Sequence, residues 1–142
     1  MTRNQDHLEI VPAPDDAQTT VLRHQQHRDE VIGLIVLWDV DEPNTLGAFL
    51  PVRANRGQTY VLGRGSSPQE NADFARAELM RQRPNRNELQ PPFESPSLSR
   101  TQLLIRAESP QRLDLTNAGR RRLFVNGSAT ESHSISPGDV IE

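Results

Sequence analysis

A chain of 142 residues, 34% of them hydrophobic, can bury one core, and its eleven prolines, eight glycines and 4% aromatics suit short strands joined by turns better than a helical bundle. All sixteen basic residues are arginine and the formal net charge is -3, which argues against a dedicated nucleic-acid-binding module but leaves forked, permanently charged groups for local phosphate contacts. The absence of cysteine excludes disulfides, thiolate nucleophiles and cysteine-based zinc sites, and a cytoplasmic protein is expected.

Residues 1–30 are polar, acidic and rich in histidine and glutamine, with too little apolar surface to offset the entropy of ordering them. They are expected to be a disordered tail, without an apolar run resembling a signal peptide. The tail carries one candidate phosphorylation site, the pair Thr19 and Thr20, where a phosphate would add about -1.5 to -2 charge units. Its histidines, His7, His24 and His27, do not make a metal site with the distant His133.

Folded structure is expected over 31–142. The β-branched run Val31 to Trp38 suits a buried strand and is too short to cross a membrane as a helix. Asp39 to Asn44 reads as a turn. Gly47 to Arg53 and Gln58 to Gly63 read as the next strands of an antiparallel meander, with Ala54 to Gly57 as the turn between them. Ser67-Pro68-Gln69-Glu70 has capping-box spacing, which predicts a helical turn through about Phe74. Ala77 to Gln82 could form a strand before a loop from Arg83 to Pro96, whose four prolines argue against regular pairing.

Two hairpins follow. Thr101 to Arg106 and Arg112 to Leu115 flank Ser109-Pro110, and Arg122 to Val125 pairs with the segment after Gly127 across an Asn-Gly turn. The chain finishes with a turn at Gly138 and the first residues of a strand, so the last strand or strands are expected to lie beyond Glu142.

Three short pieces stand out as one phosphate-binding surface: Gly63-Arg64-Gly65 after an apolar strand, Ser99-Arg100 opening another, and Phe124-Val125-Asn126-Gly127 closing a hairpin. Glycine permits close backbone approach, and arginine offers a planar set of donors to a dianion. Together they resemble a forkhead-associated (FHA) domain. The segments Arg81 to Pro84, Leu98 to Gln102 and Gly138 to Ile141 are similar to the FHA domains that precede ATPase and DNA-binding domains in bacterial sigma-54-dependent regulators.

The resemblance implies an all-β, eleven-strand sandwich of two antiparallel sheets, of the SMAD/FHA-like type. It implies that Arg64 reaches the phosphate of a phosphothreonine, that Ser99 donates its hydroxyl to it, and that Arg100 adds backbone and charge. Gly63, Asn126 and Gly127 take structural turn roles. The family's histidine at position 102 is glutamine here, and Asn117 lies near the place of the family's peptide-gripping asparagine, in a loop altered by Arg120 to Arg122. Implied partners are a phosphothreonine-containing protein or the chain's own phosphorylated tail, a Ser/Thr kinase, and a C-terminal ATPase with its DNA-binding domain. Neither a cofactor nor direct nucleic-acid contact is implied.

Enzyme signatures are weak. There is no Gly-x-Ser-x-Gly elbow, a chain without lysine has no P-loop, and Gly63 to Pro68 puts proline where a dinucleotide fingerprint needs its third glycine. The competing expectation is a sandwich that binds proteins without phosphate, packing against a neighbouring ATPase or a second copy.

Overall fold

The apolar run that opens the folded region makes a paired strand over only four residues, Ile32–Ile35 (β1), in the computed structural model, which describes residues 31–53, 57–66 and 73–142. The expected tail with Thr19 and Thr20, the Ala54 to Arg56 part of the first turn and the Ser67 capping box lie outside the described residues.

β1 runs antiparallel to Phe49–Val52 (β2), which meets Met80–Arg83 (β5), itself paired with Arg86–Leu89 (β6). Between β1 and β2, the Asp39 carboxylate accepts the Asp41 and Glu42 amides at 3.0 Å each, and Pro43–Thr45 form a short 3-10 turn. This is the expected Asp39 to Asn44 turn, built by aspartate accepting from its own downstream backbone.

The second sheet holds Thr59–Leu62 (β3), Phe74–Arg76 (β4), Leu103–Ser109 (β7), Arg112–Asn117 (β8) and Ser132–Ile135 (β11), in the order β11-β8-β7-β3-β4. Leu123–Val125 (β9) and Ser128–Thr130 (β10) form a separate hairpin. Asn126 and Gly127 both have positive φ, 50° and 81°, the conformation a two-residue hairpin turn needs.

Three expectations are corrected. β3 does not continue a meander from β2: it crosses to the second sheet and pairs with β7 and β4. Phe74 does not end a helical turn but begins β4, which is parallel to β3, so that sheet is mixed rather than antiparallel. The segment from Arg83 is not all loop. β5 and β6 close a hairpin with Arg83 opposite Arg86 and Asn85 at φ 66°, and Pro84 sits in the turn, where its fixed φ and missing N–H cost no pairing. Residues 90–100, with the remaining three prolines, contain no strand.

Alternation places the core. Leu50 and Val52 in β2, Leu103 and Ile105 in β7, Leu113 and Leu115 in β8, and Leu123 and Val125 in β9 are buried at every second position. Val52 joins Leu103, Ile105, Leu113, Leu115, Leu123, Val125 and Ile135 in one cluster, so the inner faces of the two sheets pack together as in a β-sandwich. Each such side chain contributes about 2 kcal/mol of burial free energy. A smaller cluster, Ala48, Leu50 and Leu79, lies under Phe93 and anchors the start of the irregular 90–100 segment. The described residues are all-β apart from the 3-10 turn, and none of their helices is long and apolar enough to cross a membrane.

Candidate functional site

β3 ends at Leu62 and β7 begins at Leu103, antiparallel and in direct register, so topology alone brings the chain just after β3 against the chain just before β7. The approach is very close. A Cβ on Gly63 would stand 2.1 Å from the Arg100 carbonyl oxygen and 2.5 Å from that of Ser99, which leaves glycine as the residue that fits. The Arg64 amide then donates to the Ser99 carbonyl at 2.9 Å. Arg64 and Ser99, found in separate motifs, are thus fixed side by side.

The Ser99 hydroxyl oxygen accepts the Arg120 amide at 3.0 Å, which brings the 117–122 loop to the same place. Its own O–H has no acceptor among the described residues, and it remains free to donate. The guanidinium groups of Arg64, Arg100, Arg120 and Arg122 likewise have no hydrogen-bond or ion-pair partner among the described residues. Arg64 is half-buried, whereas the other three are exposed. A hydroxyl donor on the same junction as arginines without a partner among the described residues offers chemistry suited to an oxyanion.

Gln102 holds the loop. The residue is 8% exposed, and its Nε2 donates to the Asn117 Oδ1 at 2.9 Å and to the Arg121 carbonyl at 3.0 Å. Its Oε1 accepts the Ser99 amide at 3.4 Å, and its backbone carbonyl accepts from Ala118 and Gly119. Gly119 has to be small here, because a Cβ would lie 2.3 Å from Gln102 Oε1. Asn117 completes the set by donating from Nδ2 to the Arg121 carbonyl at 2.9 Å. Its side chain is therefore engaged within the protein.

Beyond Ser99, the 94–97 segment is fastened to the β1–β2 turn. The Glu42 carboxylate accepts the Glu94 and Ser95 amides at 2.8 and 3.1 Å, and Asp41 accepts the Ser95 and Ser97 hydroxyls at 2.7 and 3.2 Å. Arg121 donates to the Ser97 carbonyl at 3.2 Å. These residues line a shallow cleft in which the Asp41 and Glu42 carboxylates are occupied by protein donors.

Sequence reasoning missed Arg76. It ends β4, opposite Val61 in parallel register, and its guanidinium spans the junction: Nη1 donates to the Arg100 carbonyl at 2.8 Å, and Nη2 to the Arg64 and Gly65 carbonyls at 2.8 and 2.5 Å. Burial lowers its pKa from the ordinary arginine value, and the group remains charged at neutral pH. No motif marks it. The usable signal is a lone arginine in a short strand twelve residues after Arg64, and it acquires meaning only with the parallel pairing.

Asn126 and Gly127 lie in the β9–β10 turn, outside this junction. Asn126 bonds Asp139 at 3.0 Å and the Val140 amide at 2.9 Å, tying that turn to the last residues. No group of three or more histidine, aspartate or glutamate side chains among the described residues could hold a metal. No family model, no curated protein and no solved structure matches this chain.

Proposed function

We propose that this chain is a phosphothreonine-peptide-binding module of FHA type, the regulatory domain of a sigma-54-dependent transcriptional regulator linked to Ser/Thr kinase signalling. The observation that carries the reading is the junction of Arg64, Ser99 and Arg100: two backbones locked at 2.9 Å, carrying a hydroxyl and two guanidinium groups that no carboxylate neutralises among the described residues. Arg64 and Ser99 contact the phosphate, Arg100 adds charge, and Asn117, whose second amide proton has no acceptor among the described residues, is a weaker candidate for gripping the peptide. The segment bearing Thr19 and Thr20, once phosphorylated, is a candidate ligand of the same chemical class.

The test is titration with a degenerate phosphothreonine peptide library and its unphosphorylated twin, repeated with Arg64→Ala and Ser99→Ala. Binding that requires phosphate and is lost in both variants supports the reading.

One observation favours a second reading, phosphate-independent packing against a neighbouring ATPase or a second copy. β1 is an edge strand, and the residues in and after it include Ile35, Leu37, Trp38 and Val40, exposed by 63%, 68%, 77% and 71%. Equal binding to both libraries by a folded domain would select it.

A further inference from the structure

An anion approaching the junction of 63–65 and 99–100 meets backbone of both polarities. Amides and guanidinium groups attract it, whereas carbonyl oxygens repel it. Three carbonyls at this junction, those of Arg64, Gly65 and Arg100, are drawn onto one guanidinium, that of Arg76, at 2.8, 2.5 and 2.8 Å. A fourth, that of Ser99, is taken by the Arg64 amide at 2.9 Å. Arg76 comes from neither loop. It projects from the end of β4, a strand held to β3 by parallel pairing and by the bond from the Ala77 amide to the Val61 carbonyl at 2.9 Å.

Resting on the phosphothreonine reading above, we propose that Arg76 is the positioning residue of the anion site: its planar fork staples the Arg64 loop to the Arg100 loop and turns their carbonyls away from the phosphate. The proposal follows from geometry and charge together. Two of the groups offered to the ligand, Arg64 and Arg100, have their own carbonyls bound by the same guanidinium, so Arg76 adds a side-chain clamp to the spacing that the Arg64 amide and the Ser99 carbonyl begin. A single flat cation can bridge carbonyls on two loops, whereas the compact ammonium of lysine cannot present parallel donors to both in fixed geometry. Arg76 belongs to neither buried cluster, so both cores are intact without it. With no carboxylate bound to it among the described residues, its charge also adds to the field of the site instead of being cancelled by an ion pair.

The experiment uses the full chain with free O-phosphothreonine and the phosphothreonine peptide library as probes, comparing wild type with Arg76→Lys and Arg76→Leu by NMR titration and thermal unfolding. In Arg76→Leu, phosphothreonine affinity is expected to fall about tenfold or more, with shifts of the unliganded amide spectrum centred on residues 64–65 and 99–101. Arg76→Lys is expected to keep the fold and the charge yet recover only part of the affinity. Full recovery in Arg76→Lys would reduce Arg76 to a source of charge and overturn the positioning role. Unchanged affinity in Arg76→Leu would overturn it as well. Should Arg76→Leu fail to fold, Arg76→Lys decides alone, by the same two readouts. A wild-type protein that binds neither probe removes the phosphothreonine reading itself, an outcome distinct from binding that survives the Arg76 substitutions.

Discussion

A methyl group added at Gly63 would overlap the carbonyl oxygens of Arg100 and Ser99, both backbone atoms that cannot swing aside. Gly63→Ala should therefore force the β3 and β7 ends apart and lower stability by about 1–3 kcal/mol, measured by urea unfolding. A change below about 0.5 kcal/mol would show that the two segments do not approach as described. Gln102 makes a second prediction at this scale. Its removal leaves the Asn117 Oδ1 and the Arg121 carbonyl without their common donor. Gln102→Leu should cost about 1–2 kcal/mol in the same assay, because two side-chain hydrogen bonds are lost while the Arg121 carbonyl keeps Asn117 Nδ2 and Asn117 Oδ1 keeps the Gly119 amide. Of the residues at the junction, Arg64, Ser99 and Arg100 were legible because each sits in a short motif whose chemistry is local. Arg76 was not, because its meaning depends on which strand lies beside β3.

At the scale of elements, the sequence was most informative where a turn dictates its own geometry. Asn126-Gly127 requires positive φ at both residues and gives the β9–β10 hairpin directly. It was least informative where proline was taken as a breaker regardless of position, since Pro84 in a turn is compatible with the β5–β6 hairpin on either side of it. The switch of β3 between sheets was also hidden, because strand partners far apart in sequence leave no mark on local alternation. The last turn offers a pH test. Asp139 accepts the Ser136 amide at 2.8 Å and the Asn126 side chain at 3.0 Å, and these bonds, the backbone one first, lower its pKa from the ordinary aspartate value. A carboxylate whose folded pKa is depressed adds stability above its unfolded pKa of about 3.9 and loses that contribution as pH falls through the folded value. Asp139→Asn should therefore lessen the loss of thermal stability below about pH 4 and leave a smaller difference between neutral and acidic pH. An acid limb identical to that of wild type would show that Asp139 is not linked to folding.

Over the whole molecule the formal charge is -3, yet the junction brings together Arg64, Arg76, Arg100 and Arg120 without an ion-pair partner among the described residues. The arginines of the β5–β6 hairpin differ: Arg83 and Arg86 are held by Glu88 at 3.0 and 2.6 Å. Asp41 and Glu42 are occupied as well, by the amides and hydroxyls of 94–97. An acidic protein can thus carry a cationic site because Asp41 and Glu42 are already engaged, and distant charges are screened at about 10 Å in 0.1 M salt. Two consequences are expected for phosphothreonine-peptide binding. Affinity should fall steadily as sodium chloride is raised from about 0.05 to 0.5 M, since Arg100 and Arg120 are exposed and act through screened fields. Arg86→Ala should leave affinity and salt slope unchanged, whereas Arg100→Ala should reduce both. Isothermal titration at four salt concentrations separates these cases. A slope that Arg86→Ala and Arg100→Ala reduce equally would mean that overall charge governs binding, and the junction would lose its claim to be the phosphate site.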